Sequence, residues 1–364
     1  VQPADSSLQE RHLSLLVECA RTFCSSLNIH DVLDRVLDKV IEVTGAERGF
    51  VVLTNREDGS FEVNVARNAE HGTIDKEDFK LSRKLMEKVA REGEPILTNN
   101  AVEDPRFSSF GSIAMHALRS IMCVPLQLKS QIIGVIFVDN RMSIGLFKDR
   151  DLEVLSAIGH LAAIAIDNAQ QHESTKEVVI ALAKAIEAKD AYTGGHVDRV
   201  TLLALAIGNE MRLDEDTMRG LEMAAILHDV GKIGIEEAVL CKPSMLNHDE
   251  RRIMEKHPFI GEAIVRPLRN LPQEVKLSIL HHQERWDGKG YPGALKGEQI
   301  PLYARIVAVS DTYDAMCSNR PYRKALPRQV AVDEINKNSG SQFDPTVVAA
   351  FTKVMEVWID PPDV

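Results

Sequence analysis

Between His30 and Ala46 the apolar positions include Val32, Leu33, Val36, Leu37, Val40 and Ile41. That three-and-four spacing is one face of a helix, and Gly45 supplies a stop. The run "ERGFVVLTN" predicts a buried strand, "REDG" a hairpin turn, and the alternating "SFEVNVARN" a second strand. A helix follows near "LSRKLMEKVAREG". "SIMCVPLQLKSQIIGVIFVDN" then reads as two strands joined by a turn at Lys129–Gln131. Helices interleaved with paired strands predict an α+β domain with an antiparallel sheet. From Lys148 to Asp190 the pattern is one long helix. Its apolar positions include Leu152, Leu155, Ile158, Leu161, Ile164, Ile166, Val178, Val179, Leu182 and Ile186, with the polar patch "DNAQQHESTKE" between. Such a helix predicts a linker over 150–190 that pairs with its copy in a second chain as a coiled coil. Beyond Glu187 strand signals nearly vanish. "VTLLALAIGNEM", "TMRGLEMAAILHDV", "HDERRIMEKH", "PQEVKLSILHH" and "LYARIVAVSDTYDAMC" all read as helices, so the second half is all-α.

A length of 364 residues favours two domains, and 44% hydrophobic residues give each a core. The formal net charge of −11 argues against nucleic-acid polymers and anionic membranes as partners. A small anionic ligand in a local basic pocket remains open. No run approaches the roughly 20 apolar residues of a membrane span, and no signal peptide is visible in a chain that starts at Val1. Cys19, Cys24, Cys123, Cys241 and Cys317 are scattered and odd in number. They fit reduced thiols in a cytoplasm better than a disulfide framework. Cys123 falls inside a strand, where a buried structural thiol is expected. None forms a zinc-like pair, so a metal site here would use nitrogen and oxygen ligands.

The segments "GAERGFVVL", "EPILTNNAVEDPRF", "SIMCVPL" and "IIGVIFVDN" resemble those of a GAF domain, over about residues 12–170. The resemblance implies a sensory module for an unknown ligand, or a ligand-free dimerisation module.

In the helical half His196, His228, Asp229, His257, His281 and His282 fall at helix ends. Singly, a histidine at a helix C-terminus needs only the helix dipole to explain it. Asp311 is odder, because a carboxylate beside Val307, Ala308 and Val309 is costly to bury without a partner. Together these groups converge best on a metal centre. Mixed imidazole and carboxylate ligands suit iron, manganese or zinc, and a carboxylate has two oxygens with which to bridge two cations.

His228–Asp229 resembles the pair that names the HD phosphohydrolases. "HHQERWDGKGYP" resembles the signature of the HD-GYP subfamily, the cyclic di-GMP phosphodiesterases. "AIEAKDAYTGGHVDRV", "LHDVGKIGI", "ARIVAVSDTYDAM", "NRPYRKA" and "FDP" extend the match, giving a domain over 181–355. One departure is Gln283, where the subfamily has glutamate directly after the paired histidines. The resemblance implies two or three metal ions per chain, iron or manganese foremost. His196, His228, Asp229, His257, His281, His282 and Asp311 are the implied ligands, with Asp229 bridging and Glu187 a ligand for a third ion. Lys232 neutralises the scissile phosphate, Gly290, Tyr291 and Pro292 shape the substrate side, with Gly290 turning the backbone tightly, and Arg320, Arg323 and Lys324 hold the second phosphate. The implied reaction is metal-assisted in-line hydrolysis to 5′-pGpG, and on to GMP if the product rebinds. Two alternatives stay open: a receptor that binds cyclic di-GMP without cutting it, and an HD phosphohydrolase for another nucleotide.

Overall fold

The computed structural model describes residues 3–55, 59–70, 72, 83–101, 103–104, 106, 119–189, 195–319 and 324–361. The chain divides into two compact units, Val1–Thr175 and Lys176–Val364.

In the first unit, helices α1 (Pro3–Phe23) and α2 (Ile29–Thr44) precede strands β1 (Arg48–Thr54) and β2 (Phe61–Asn68). Then come α3 (Arg83–Glu92), β3 (Ile96–Thr98), β4 (Ser120–Leu128), β5 (Gln131–Asn140) and the start of the long α4 (Asp149–Glu187). The helix read from the stripe at Val32–Ile41 is α2. Asn28 caps its first turn by accepting from the His30 and Asp31 N–H groups, and Gly45, at φ +64°, ends it. The tip of the "REDG" turn lies outside the described residues, but β1 and β2 pair antiparallel on either side of it. The sheet has the order β2-β1-β5-β4-β3, with every neighbouring pair antiparallel.

Both faces of that sheet are covered. Val51, Leu53, Ile136 and Val138 join the core formed by α2 and α4, while Phe50, Val52, Val135 and Phe137 pack with Leu85, Met86 and Val89 of α3. Covered faces explain why β1 reads as a continuous apolar run rather than an alternating one. Cys123 is fully buried in β4, and burial pushes its thiol far above the ordinary range. The sequence suggested no stretch apolar enough for a membrane. Helix α4 corrects this: its best 18-residue window has a mean hydropathy of 1.3. Half of that window is buried, and Leu155, Ile158, Ala162, Ala163 and Ile166 lie in the core of the first unit.

The second unit is helical, as the vanishing strand signals predict. It takes the end of α4, then α5 (His196–Glu210), α6 (Glu215–Leu227), a 3-10 turn (Val230–Gly234), α7 (Glu237–Leu240), α8 (His248–Met254) and α9 (His257–Val265). After these come α10 (Gln273–His281), a 3-10 turn at Gly297–Gln299, α11 (Leu302–Cys317), α12 (Arg328–Lys337) and α13 (Pro345–Val357). Leu203 and Ile207 of α5, Leu221 of α6, Val309 and Tyr313 of α11, Ile335 of α12 and Phe351 of α13 form one core. A second cluster joins Ala183 of α4 to Ile226, Val265, Val275 and Ile279. Between them these clusters fix the helices that carry the polar residues described next.

Candidate metal centre

Six donor side chains of the second unit fall into two groups. His196, His228 and Asp311 offer atoms within 4.8 Å of one another, and so do Asp229, His257 and His282. His196 is the first residue of α5, after Gly195 at φ +73°. His228 and Asp229 fall where α6 gives way to the 3-10 turn. His282 caps α10, and Asp311 lies within α11. The sequence suggested that His257 closes a helix, and this is corrected. Helix α8 stops at Met254 and His257 opens α9. Pro258 is tolerated in that first turn because its missing N–H would have no intrahelical partner.

Asp229 stands between the groups. Its Oδ1 is 3.3 Å from His257 Nε2 and 3.7 Å from His282 Nε2. Its Oδ2 is 3.3 Å from His228 Nε2, 3.9 Å from His196 Nε2 and 2.7 Å from Lys232 Nζ. Asp311 Oδ1 is 3.6 Å from His196 Nε2. Donor atoms bound at about 2.1 Å to one ion at right angles would be about 3 Å apart, so these spacings suit coordination. Burial alone would raise the Asp229 carboxyl, but Lys232 and His228 outweigh it and hold the group well below its ordinary value.

The outer ring nitrogens decide which way the imidazoles face. Nδ1 of His228, His257 and His282 lies 2.7, 2.8 and 2.8 Å from the carbonyl oxygens of Ala225, Met254 and Ile279. A carbonyl only accepts, so each Nδ1 carries a proton and each ring turns its Nε2 to the centre. The Nε2 atoms of His257 and His282 are 3.1 Å apart, in rings that are almost fully buried. Burial, against the pull of Asp229, lowers His257 to about 4, so it has no proton to share at neutral pH. Two buried ring nitrogens that close need either a shared proton or a cation between them. His228 Nε2 is likewise buried without a hydrogen bond. Burial opposes a charge on His228, yet Asp229 and Asp311 raise it to about 9, and a field that favours a proton there also favours a metal cation. The residues fit divalent metal binding, with Asp229 within reach of donors from both groups.

Glu187 and His281 fall outside both groups. Glu187 Oε1 accepts the His196 backbone N–H at 2.5 Å, and burial raises its carboxyl. It does line a cavity of about 20 Å³ with His196, Asp229 and Lys232, room for about one water. His281 Nδ1 is 3.3 Å from Glu284 Oε1.

Glu284 changes the reading of Gln283. The carboxylate expected directly after the histidines is present one residue later, with a fully buried side chain. Its oxygens accept the N–H groups of Gly293 at 2.6 Å and Leu295 at 3.1 Å, so it fastens the Gly-Tyr-Pro loop beneath the centre. Gly290 is also reinterpreted. Positive φ belongs to Gly288, whereas a Cβ on Gly290 would stand 2.3 Å from Arg285 N. Close backbone approach, not turn geometry, demands that glycine. Tyr291 is half-buried and joined to Pro292 by a cis peptide bond. Burial first, then Glu255, Asp229 and Asp311, push its phenol upward, so its hydroxyl lies within the electrostatic reach of the centre. Lys324 is exposed, and Arg320 and Arg323 lie outside the described residues.

Asp314 and Arg199 escaped the sequence reading. His196 Nδ1 is 2.7 Å from Asp314 Oδ2, and Arg199 Nε donates to Asp314 Oδ1 at 2.5 Å. The available signal was a second aspartate one turn after Asp311 and an arginine one turn after His196.

Both halves of the chain match known families. Residues 26–167 match the GAF domain family and residues 180–347 the HD domain family. The chain therefore carries a GAF domain followed by an HD domain. It is 42% identical over 182 residues to the cyclic di-GMP phosphodiesterase response regulator RpfG of Xanthomonas campestris, covering 50% of this chain and 48% of that one. It is also 42% identical over 182 residues to a cyclic di-GMP phosphodiesterase of Thermotoga maritima, covering 49% of each. It is 38% identical over 177 residues to the 3′3′-cGAMP-specific phosphodiesterase 2 of Vibrio cholerae, covering 48% of this chain and 34% of that one. The chain thus spans about half the length, or less, of these curated relatives.

Proposed function

We propose that the second unit is an HD-GYP phosphodiesterase that hydrolyses cyclic di-GMP to 5′-pGpG, regulated by a ligand or partner of the GAF domain. The observation that carries the reading is the apposition of the His257 and His282 Nε2 atoms across from Asp229, beside the second group of His196, His228 and Asp311. When bound, two divalent metal ions supply Lewis-acid stabilisation and a water of lowered pKa for in-line attack at phosphorus. Iron or manganese suits the mixed donors, and the six grouped side chains support a count of two.

The chain's own residues do the rest. Asp229 holds the two halves of the centre in register, and Lys232, 2.7 Å from it, offers an ammonium to a phosphate oxygen. The loop of Gly290, Tyr291 and Pro292, fastened by Glu284, forms one wall for a base or sugar. Arg320, Arg323 and Lys324 serve the second phosphate, since guanidinium groups suit bidentate phosphate contacts. Glu187 enters the centre only if a third ion is held there.

The test is hydrolysis by a manganese- or iron-loaded sample offered cyclic di-GMP, 3′3′-cGAMP and linear nucleotides, with products separated by ion-exchange chromatography. Release of 5′-pGpG supports the reading. Cleavage of 3′3′-cGAMP alone moves the substrate toward that of the Vibrio relative. Binding of cyclic di-GMP without cleavage by a fully loaded protein replaces the enzyme with a receptor.

A further inference from the structure

Three histidines of the centre donate their outer hydrogen bond to a backbone carbonyl three residues before. His196 does not. Its Nδ1 meets instead the Oδ2 of Asp314, at 2.7 Å and 118 residues away. Asp314 is only 6% exposed and lies on α11, three residues after Asp311. Arg199 lies three residues after His196 and donates to both oxygens of Asp314, at 2.5 and 3.2 Å, and to Ser318 Oγ at 3.2 Å. Two rungs therefore join α5 to α11. The inner rung is His196 with Asp311, facing the centre, and the outer rung is Arg199 with Asp314, one turn away.

An ionised carboxylate only accepts hydrogen bonds. Arg199, always cationic, pairs with the Asp314 carboxylate at 2.5 Å and leaves its second oxygen for the His196 ring. The His196 proton is thus held on Nδ1, the lone pair is left on Nε2, and a full negative charge behind the ring makes that lone pair a stronger donor.

We infer that Asp314, clamped by Arg199, is a positioning residue that orients His196 and strengthens its hold on the cation of the His196, His228 and Asp311 group. The inference rests on reading the two donor groups as a metal centre. Neither residue lies among the grouped donors, so both act through His196. The relay makes the two groups unequal. One has a carboxylate-backed imidazole, while the other has only imidazoles backed by neutral carbonyls.

The test uses the full chain, stripped of metal and labelled with 15N at histidine, as wild type, Asp314→Asn and Arg199→Gln. Long-range 15N–1H correlation reads the His196 tautomer without metal, and calorimetric titration with Mn2+ reads each site. The wild type is expected to show a single Nδ1–H tautomer at His196 and to bind two ions. Asp314→Asn is expected to show mixed tautomers and to bind one ion 10–100-fold more weakly, with the other unchanged. Arg199→Gln leaves Asp314 and His196 in place, so it carries the same test should Asp314→Asn not fold. It is expected to weaken the same ion by a smaller factor. Two unchanged affinities in a folded variant, beside a wild type that binds two ions, would overturn the relay alone. A wild type with no Mn2+ affinity would overturn the metal reading and the relay with it.

Discussion

Gly231 lies so close to His257 that a Cβ in place of its hydrogen would stand 1.9 Å from the His257 carbonyl oxygen and 2.5 Å from Gly261 N. The 3-10 turn after Asp229 and the start of α9 therefore touch backbone to backbone. That contact sets the distance between Asp229 and His257. Backbone cannot swing aside as a flexible side chain can, so Gly231→Ala should cost about 3 kcal/mol, the upper end for overpacking. Urea unfolding reads the stability, and metal analysis should show the Asp229, His257 and His282 ion lost first. A variant with wild-type stability would mean the two elements are free to part.

Asp229→Asn keeps the side-chain shape and removes the negative charge that faces both donor groups. Turnover of cyclic di-GMP should fall more than about a hundredfold, beyond the 10–100-fold typical of residues behind the ligands. Bound metal should fall in parallel. Full activity with unchanged metal content would remove Asp229 from the centre.

Glu284→Gln tests the fastening of the Gly-Tyr-Pro loop. One of the two N–H groups, of Gly293 or Leu295, would face an amide NH2 instead of an oxygen. The expected loss is about 1–3 kcal/mol of stability, with a raised KM and little change in metal content. If KM and the unfolding midpoint both stay put, the loop is held by something else.

Arg320→Ala should weaken substrate use without changing metal content, because a guanidinium contacts phosphate rather than cation. A lost charge-assisted hydrogen bond costs about 1.5–3 kcal/mol, or roughly 10–150-fold in kcat/KM. Unchanged steady-state kinetics would take Arg320 out of the site.

The exposed stripe on α4 predicts a dimer. Ile164 is 47%, Val178 59% and Leu182 61% exposed, apolar surface that a second copy of the helix would cover although no clean heptad runs along it. Light scattering should report twice the 40.5 kDa chain mass at micromolar concentration, and the double variant Val178→Glu/Leu182→Glu should return the monomer. A wild-type monomer at that concentration would refute the pairing.

The fold was legible wherever apolar spacing is periodic. The stripe of α2, the paired strands of the sheet and the unbroken α4 all follow from it. The centre was legible through residue type, since histidines and aspartates at helix ends are conspicuous. What stayed hidden needs two elements at once. His257 looked like the end of a helix because proline follows it, and only the break after Met254 shows that it begins the next one. Gly290 looked like a turn glycine, whereas its reason is the backbone of Arg285 across the loop. Gln283 suggested a lost charge, because nothing local shows Glu284 reaching Gly293 and Leu295. Asp314 and Arg199 drew no reading at all, because only the fold brings α5 and α11 together.

The grouped donors are drawn from α5, the end of α6, α9, the end of α10 and α11, with long stretches of chain between successive contributors. A cation held by them ties those stretches into loops simultaneously, as a set of reversible covalent staples would. Chain entropy removed from the unfolded state in this way adds to stability only while the ions are bound. Unfolding of the helical unit must then expel its ions. Its melting temperature should rise with free metal concentration, and chelation should lower the heat resistance of that unit while leaving the sheet-containing one as it was.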